Sequence, residues 1–134
     1  IGELSEPTLK LVDFGAAIPV VDGVRKGKGA YTPGFAAPEV RRIAHPSATV
    51  DHRADLYSLG AILYQGFSQG HIDPMSLATP FEDEYPVLDP EALRLDLHPE
   101  TRQLVVQALA RDPEARFPSA EAMRRAIEGV LREV

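Results

Sequence analysis

The sequence predicts a mainly helical fold, and three segments carry that prediction. Residues 51–67 are apolar nearly all the way round a helix, which is typical of a helix buried on several sides. Residues 99–110 and 119–134 each place apolar side chains at helical spacing on one face. Only residues 8–12 alternate in the manner of a β-strand. A chain of 134 residues is therefore expected to form one domain around these helices.

The N-terminal part of the chain predicts a strand, a loop and a short helix, in that order. Leu9 and Leu11 share one face of the predicted strand. Residues 16–34 are rich in glycine and show no period of 2 or 3.6, which predicts a long loop. Pro38 suits the first position of a helix, so a short helix is expected over residues 38–43.

The C-terminal part predicts the three longer helices, separated by an irregular, proline-containing stretch at residues 68–98. The residues expected to face inward on the helix at 99–110 are Leu104, Val105, Ala108 and Leu109. The last helix is expected to begin at Ser119, a good N-cap residue. Its predicted apolar stripe comprises Met123, Ile127, Val130, Leu131 and Val134.

Composition and charge argue against several partners. The formal net charge of −6 disfavours nucleic acid and anionic membrane surfaces, which attract clustered Lys and Arg. No apolar run approaches the roughly 18 residues of a membrane span, so no membrane contact is expected from this segment. The absence of cysteine excludes disulfides and thiolate chemistry. It is compatible with a reducing compartment, and a cytoplasmic location is expected.

Four short motifs follow one another along the chain. Asp13-Phe14-Gly15 follows the predicted strand, and Ala37-Pro38-Glu39 closes the loop. Asp-Leu-Tyr-Ser-Leu-Gly begins at Asp55, and Leu-Ala-Arg-Asp-Pro-Glu-Ala-Arg-Phe ends at Phe117. Asp13 alone could be a turn residue at a strand end. Together the motifs resemble the C-terminal lobe of a Ser/Thr protein kinase of the Hanks type, over essentially the whole chain. Eleven arginines against three lysines favour a bacterial source.

The resemblance implies a fold and a reaction. The chain would be a partial protein kinase domain over residues 1–134, with an activation segment at 13–39 and a helical C-lobe at 40–134. It would hold the C-terminal lobe of the protein-kinase-like (α+β) fold, without the N-terminal lobe and the catalytic loop. The intact domain would transfer the γ-phosphate of ATP to hydroxyl groups of a protein substrate, with Mg²⁺.

The resemblance also implies roles for the Asp-Phe-Gly motif and the loop after it. Asp13 would be the metal ligand, and Asp13, Phe14 and Gly15 would lie at the ATP site. Thr32, Pro33 and Gly34 would bind the substrate residue that follows the phosphorylated one. A threonine at position 32 favours Ser/Thr specificity, although Thr32 could also be an ordinary turn residue beside Pro-Gly.

Three further residues would have structural roles. Glu39 and Arg116 would form a buried ion pair that anchors the activation segment to the later helices. Asp55 would hold the backbone of the catalytic loop. Asp55 also stands at the start of a helix, where a carboxylate is favourable in any protein, and both interpretations can hold together.

The catalytic-loop aspartate is not visible in this sequence, so the 134 residues alone are expected to transfer no phosphate. The N-terminal lobe would be supplied elsewhere, by a longer polypeptide or by a partner chain. Because helix 51–67 is apolar all round, the segment alone is expected to expose an apolar patch and to self-associate. The alternative function is that of a pseudokinase or a kinase-like protein-interaction module without catalysis.

Overall fold

The computed structural model describes residues 7–12, 17, 20–21, 24–25, 32, 34–41, 50–77 and 88–132. This part of the chain is mainly helical, as predicted. Its α-helices are α1 (Pro38–Arg41), α2 (Arg53–Phe67), α3 (Pro99–Ala108) and α4 (Ala120–Arg132). Short 3-10 turns lie at Pro74–Leu77, Pro90–Ala92 and Pro113–Ala115. Two strands of two residues each, β1 (Val20–Val21) and β2 (Val24–Arg25), pair in antiparallel fashion.

Helix α2 is the centre of the packing, and it contacts three apolar clusters on different sides. Leu56 packs in the cluster that joins α3 and α4, while Ala61 and Tyr64 pack in a second cluster with α3. Ala54 and Tyr57 pack in the third cluster, beside α1. This arrangement agrees with a helix that is apolar nearly all the way round.

A glycine in the middle of α2 allows α3 to approach closely. A Cβ atom placed on Gly60 would lie 2.7 Å from the Cβ atom of Ala108 on α3. That distance is too short for two carbon atoms, so a larger residue at position 60 would push the two helices apart. The usual cost of a glycine inside a helix is thus offset by close helix packing.

The starts of α3 and α4 agree with the sequence prediction. The His98 side chain caps α3 by accepting the Glu100 amide at 3.3 Å, and Pro99 is the first helical residue. The Ser119 hydroxyl accepts the Ala122 amide at 3.0 Å at the start of α4. The predicted stripe of α4 is wrong at Leu131, which is 66% exposed.

The other described residues of the predicted α4 stripe face the core. Met123 is buried, and Ile127 and Val130 pack against the same cluster. The buried stripe is therefore narrower than predicted, with Leu131 lying beside it on the solvent side. Val134 lies outside the described residues.

Two expectations for the N-terminal part are wrong. Residues 8–12 form no strand, and the side chains of residues 7–12 are exposed. A strand needs a neighbour for its backbone hydrogen bonds, and none of the described residues pairs with this segment. Conversely, the predicted loop contains β1 and β2, with Val21 opposite Val24. The missed signal is Asp-Gly between valines, a sequence that favours tight hairpins.

The stretch between α2 and α3 is irregular where it is described, and it is tied to the end of α2. Ser68 forms an isolated bridge with Leu93. The Gln69 amide donates to the Ala92 carbonyl at 2.8 Å, and the Arg94 amide donates to the Phe67 carbonyl at 3.0 Å. None of the helices in the described ranges is long and apolar enough to cross a membrane.

Candidate functional site

Arg116 and Glu39 form a buried, bidentate ion pair. Nη1 of Arg116 donates to Oε1 of Glu39 at 2.6 Å, and Nη2 donates to Oε2 at 2.9 Å. The side chain of Arg116 is completely buried, while that of Glu39 is 12% exposed. Two parallel charge-assisted hydrogen bonds of this kind are short and directional. They join α1 to the segment that precedes α4.

The other donors of Arg116 bind main-chain carbonyl groups. Nε donates to the Ala110 carbonyl at 2.7 Å, Nη1 to the Arg53 carbonyl and Nη2 to the Arg111 carbonyl, both at 3.2 Å. The guanidinium carbon also lies 5.0 Å from the centre of the Tyr57 ring. All five N–H groups are thus hydrogen-bonded, as a buried guanidinium requires.

A second charged group lies next to this ion pair. The guanidinium of Arg53 contacts Asp51 at 2.8 Å and Glu114 at 3.1 Å. Burial raises the pKa of Asp51, but the hydrogen bonds and charge of Arg53 outweigh it and leave the pKa below its usual value. The Arg53 carbonyl accepts from Arg116, so the two arginines link the start of α2 to the turn at Pro113–Ala115.

Thr32 and Gly34 lie in a tight turn just before α1. The Thr32 carbonyl accepts the amides of Phe35 at 3.2 Å and Ala36 at 3.1 Å, and its side chain is exposed. Gly34 is buried and has φ +90°. A Cβ atom on Gly34 would lie 2.5 Å from the Pro74 carbonyl oxygen. The conformation and the close approach both require glycine at this position.

Comparison with known proteins agrees with this arrangement. The family model described as "Protein kinase domain" matches residues 3–126. The chain belongs to the protein kinase family. Kinases of this family use ATP and Mg²⁺.

Three similar kinases illustrate the relationship. The chain is 35% identical, over 93% of its length, to the tyrosine-protein kinase MasK of Myxococcus xanthus. It is 42% identical over 56% of its length to the serine/threonine-protein kinase PksC of Streptomyces coelicolor, and 33% identical over 93% to the serine/threonine-protein kinase pkn3 of Myxococcus xanthus. The chain spans 20%, 14% and 24% of the lengths of these three relatives.

The predicted kinase residues are only partly within the described structure. Asp13, Phe14, Gly15 and Pro33 lie outside the described residues, so their roles at the ATP, metal and substrate sites stay predictions. Asp55 lies in the first turn of α2 with an exposed side chain. Its predicted contact with the catalytic loop also stays a prediction.

The structure brings together three residues that the sequence prediction did not assign to any site. Tyr57, Arg53 and Glu114 all lie within the two charged groups around Arg116. A signal for them existed, because Tyr57 lies within the motif that begins at Asp55, and Glu114 lies within the motif that ends at Phe117. Their pairing could not be read from spacing alone, since Arg53 and Glu114 are distant in the sequence.

Proposed function

We propose that this chain is part of a Ser/Thr protein kinase that transfers the γ-phosphate of ATP to hydroxyl groups of proteins. The observation that carries the proposal is the buried ion pair between Glu39 and Arg116 in a chain of the kinase family. The pair fixes the C-terminal end of the proposed activation segment, residues 13–39, against the proposed helical C-lobe, residues 40–134. A fixed segment of this kind can hold a substrate in place for phosphoryl transfer.

In this proposal the residues divide between the nucleotide and the protein substrate. ATP supplies the phosphoryl group, and Mg²⁺ offsets its negative charge. The Asp13 carboxylate would bind the metal ion, since hard cations prefer oxygen ligands. Phe14 and Gly15 would complete that site. The turn at residues 32–34 would receive the substrate residue beside the acceptor hydroxyl.

The acceptor residue is the finer part of the proposal. Thr32 favours transfer to serine and threonine, and two of the three relatives described above are named serine/threonine-protein kinases. MasK is named a tyrosine-protein kinase. Identification of the phosphorylated amino acid therefore belongs in the test.

The apolar surface of α2 supports a second part of the proposal, which concerns contacts. Leu59 and Ile62 are three residues apart on one face, and they are 40% and 55% exposed. We propose that this face contacts the part of a kinase domain that holds the catalytic loop, in the same polypeptide or in a partner chain. Asp55, one turn before Leu59, would bind the backbone of that loop. Without this contact the face would favour self-association.

We also propose a cytoplasmic location, where ATP is available.

The test is phosphate transfer by the complete natural polypeptide. The protein is incubated with γ-labelled ATP, Mg²⁺ and casein, and phosphoserine, phosphothreonine and phosphotyrosine are separated afterwards. Asp13→Asn should lower incorporation by about a hundredfold or more, the scale of losing one group that stabilises transition-state charge. Asp96→Asn, an exposed carboxylate paired with Arg94, is the matched control and should keep full activity.

Each result separates the candidate functions. Label on serine or threonine that is lost in Asp13→Asn supports a Ser/Thr kinase. Label on tyrosine would correct the acceptor while keeping the kinase. A wild-type polypeptide that incorporates no label, after removal of contaminating kinases, would contradict catalysis and favour the non-catalytic interaction module.

A further inference from the structure

We propose that Gly34 is a positioning residue for substrate recognition, because it seats the turn that begins at Thr32 directly on the backbone of Pro74 and Met75. The inference rests on the proposed function, in which this turn receives the protein substrate. It assigns a positioning role to the 3-10 turn at Pro74–Leu77, which lies between α2 and α3.

The contact is a backbone contact, and it is close. A Cβ atom on Gly34 would lie 2.5 Å from the carbonyl oxygen of Pro74, 2.7 Å from its carbonyl carbon and 2.9 Å from the amide nitrogen of Met75. None of these atoms belongs to a flexible side chain that could turn aside. Any side chain at position 34 must therefore displace one of the two turns.

The surface beneath Gly34 is held firmly. Pro74 is almost fully buried. The carboxylate of Asp73 accepts the Met75 amide at 2.9 Å, and its carbonyl accepts the Ser76 amide at 2.9 Å and the Ser76 hydroxyl at 2.6 Å. Because these hydrogen bonds hold the turn at Pro74–Leu77, the turn that begins at Thr32 is the one that would move when a side chain is added at Gly34.

The turn that begins at Thr32 also packs against the core. Phe35, next to Gly34, packs against the cluster that contains Tyr64 and Leu93. The Thr32 carbonyl accepts two amides within the turn, from Phe35 and Ala36. The exposed side chain of Thr32 is thus carried by a turn that is held between the core and the Pro74 carbonyl. A shift at residue 34 would therefore disturb the turn whose hydrogen bonds are accepted by the Thr32 carbonyl.

The experiment compares Gly34→Ala with Gly70→Ala in the complete natural polypeptide. Gly70 is the matched control: it has φ +72°, so alanine meets a similar backbone strain, but no atom lies within 4 Å of the added Cβ. In Gly34→Ala, kcat/KM for a peptide substrate should fall by about 10- to 100-fold, the effect of misplacing a reacting group by about 1 Å. The KM for ATP should stay unchanged, and Gly70→Ala should change neither constant by more than about twofold.

Hydrogen exchange supplies a second readout that needs no activity. The amides of Phe35 and Ala36, which donate to the Thr32 carbonyl, should exchange faster in Gly34→Ala and keep the wild-type rate in Gly70→Ala. Faster exchange together with the fall in kcat/KM for peptide supports the proposal. Wild-type exchange rates together with wild-type peptide kinetics in a folded Gly34→Ala protein would overturn it. Equal changes in both variants would also overturn it, because the contact would then have no special role.

The design separates this inference from the proposed function. If the wild-type polypeptide transfers no phosphate, the proposed function fails and substrate positioning by Gly34 fails with it, whereas hydrogen exchange still reports whether Gly34 seats the two turns. If Gly34→Ala does not fold, Asp73→Ala is the second variant. It removes the exposed carboxylate that accepts the Met75 amide, and so loosens the turn at Pro74–Leu77 without changing Gly34. It should lower kcat/KM for the peptide while leaving the KM for ATP unchanged, and unaltered peptide kinetics in Asp73→Ala would overturn the proposal.

Discussion

The sequence Asp-Pro-Glu-Ala occurs twice, at residues 89–92 and 112–115, and it forms the same 3-10 turn in both places. In each turn the Asp carboxylate accepts the Glu amide at 2.9 Å, and the Asp carbonyl accepts the Ala amide at 3.0 Å. The next residue is buried in both turns, although it is Leu93 in one and Arg116 in the other.

The surroundings of the two turns explain this difference. Leu93 lies in an apolar cluster with Tyr64 and Val105, where a charged group would find no partner. Arg116 lies among main-chain carbonyls and the Glu39 carboxylate, where an aliphatic side chain would leave polar atoms unsatisfied. The comparison teaches that the local sequence sets the geometry of the turn, whereas distant parts of the chain set the chemistry of the residue that follows it.

The largest expected loss of stability comes from Arg116→Leu, which places after the second turn the residue type that follows the first turn. The carboxylate of Glu39 would then stay buried without its partner, which typically costs about 3 to 5 kcal/mol of unfolding free energy. Urea unfolding measures the loss. Arg94→Leu, at a half-exposed arginine after the first turn, is the control and should change stability by about 0.5 kcal/mol or less.

A double variant sharpens this test. Arg116→Leu combined with Glu39→Leu should recover the part of the loss that comes from the unpaired carboxylate, because replacing both partners of a buried pair by apolar residues is often neutral. The carbonyls of Ala110, Arg53 and Arg111 would still lack the Arg116 donors, so the recovery should be incomplete. Equal stability of Arg116→Leu and the wild type would show instead that the Glu39 carboxylate reaches water once its partner is removed.

Because Leu93 lies in an apolar cluster, Leu93→Ala should lower stability about as much as Arg116→Leu, but by a more variable amount. Removal of a fully buried leucine costs about 2 to 5 kcal/mol, depending on how far the cavity collapses. Leu95→Ala is the matched control, since Leu95 is 86% exposed. Thermal unfolding of both variants measures the difference. An equal, small effect of the two changes would contradict the assignment of Leu93 to the core.

Removal of the capping carboxylates should affect the two turns equally. Asp89→Ala and Asp112→Ala each lose one hydrogen bond to a Glu amide, and a lost cap costs about 0.5 to 2 kcal/mol. Asp96→Ala, which caps no turn in the described structure, is the control for loss of a surface charge. If the losses at residues 89 and 112 differed by more than about 1 kcal/mol, the turns would depend on their surroundings and not on local sequence.

The smallest expected effect is on the pH dependence of stability, and it distinguishes the ion pairs beside the two turns. Arg53 lowers the pKa of Asp51 and contacts the second turn through Glu114, whereas Arg94 lowers the pKa of the exposed Asp96 after the first. A lowered folded-state pKa adds stability that is present above the unfolded value of about 3.9 and is lost as pH falls through the folded value.

Asp51→Asn should therefore flatten the decline of thermal stability below about pH 4. Asp96→Asn should flatten it less, because solvent and salt screen an exposed pair. Unfolding temperatures measured from pH 2 to 7 at two salt concentrations test both changes. A larger effect of Asp96→Asn would reverse the proposed order of the two ion pairs.

The success of the sequence predictions depended on how local the determining interactions were. The starts of α3 and α4 were predictable because Pro99 and Ser119 act within one helical turn. The strand at residues 8–12 was predicted wrongly, since pairing needs a neighbour that alternation alone does not supply. The hairpin of β1 and β2 has a local signal too, since Asp-Gly between valines favours tight hairpins.

The candidate site shows the same difference between local and long-range interactions. The pairing of Glu39 with Arg116 was anticipated through the family resemblance, and not through spacing, because the two residues are far apart in the sequence. The contact of Gly34 with Pro74 could not be predicted at all. A glycine in a loop shows that some unusual backbone is permitted, but it does not identify the atom that the backbone approaches.

The hydrogen bonds from Arg116 to the carbonyls of Ala110 and Arg111 affect how this region can evolve. Every residue type carries a carbonyl group, so these bonds place no demand on which side chain stands at positions 110 and 111. A substitution at either position would leave the acceptor carbonyl of that bond in place. The bonds to residues 110 and 111 therefore place no requirement on side-chain type, whereas the ion pair requires both the Glu39 carboxylate and the Arg116 guanidinium.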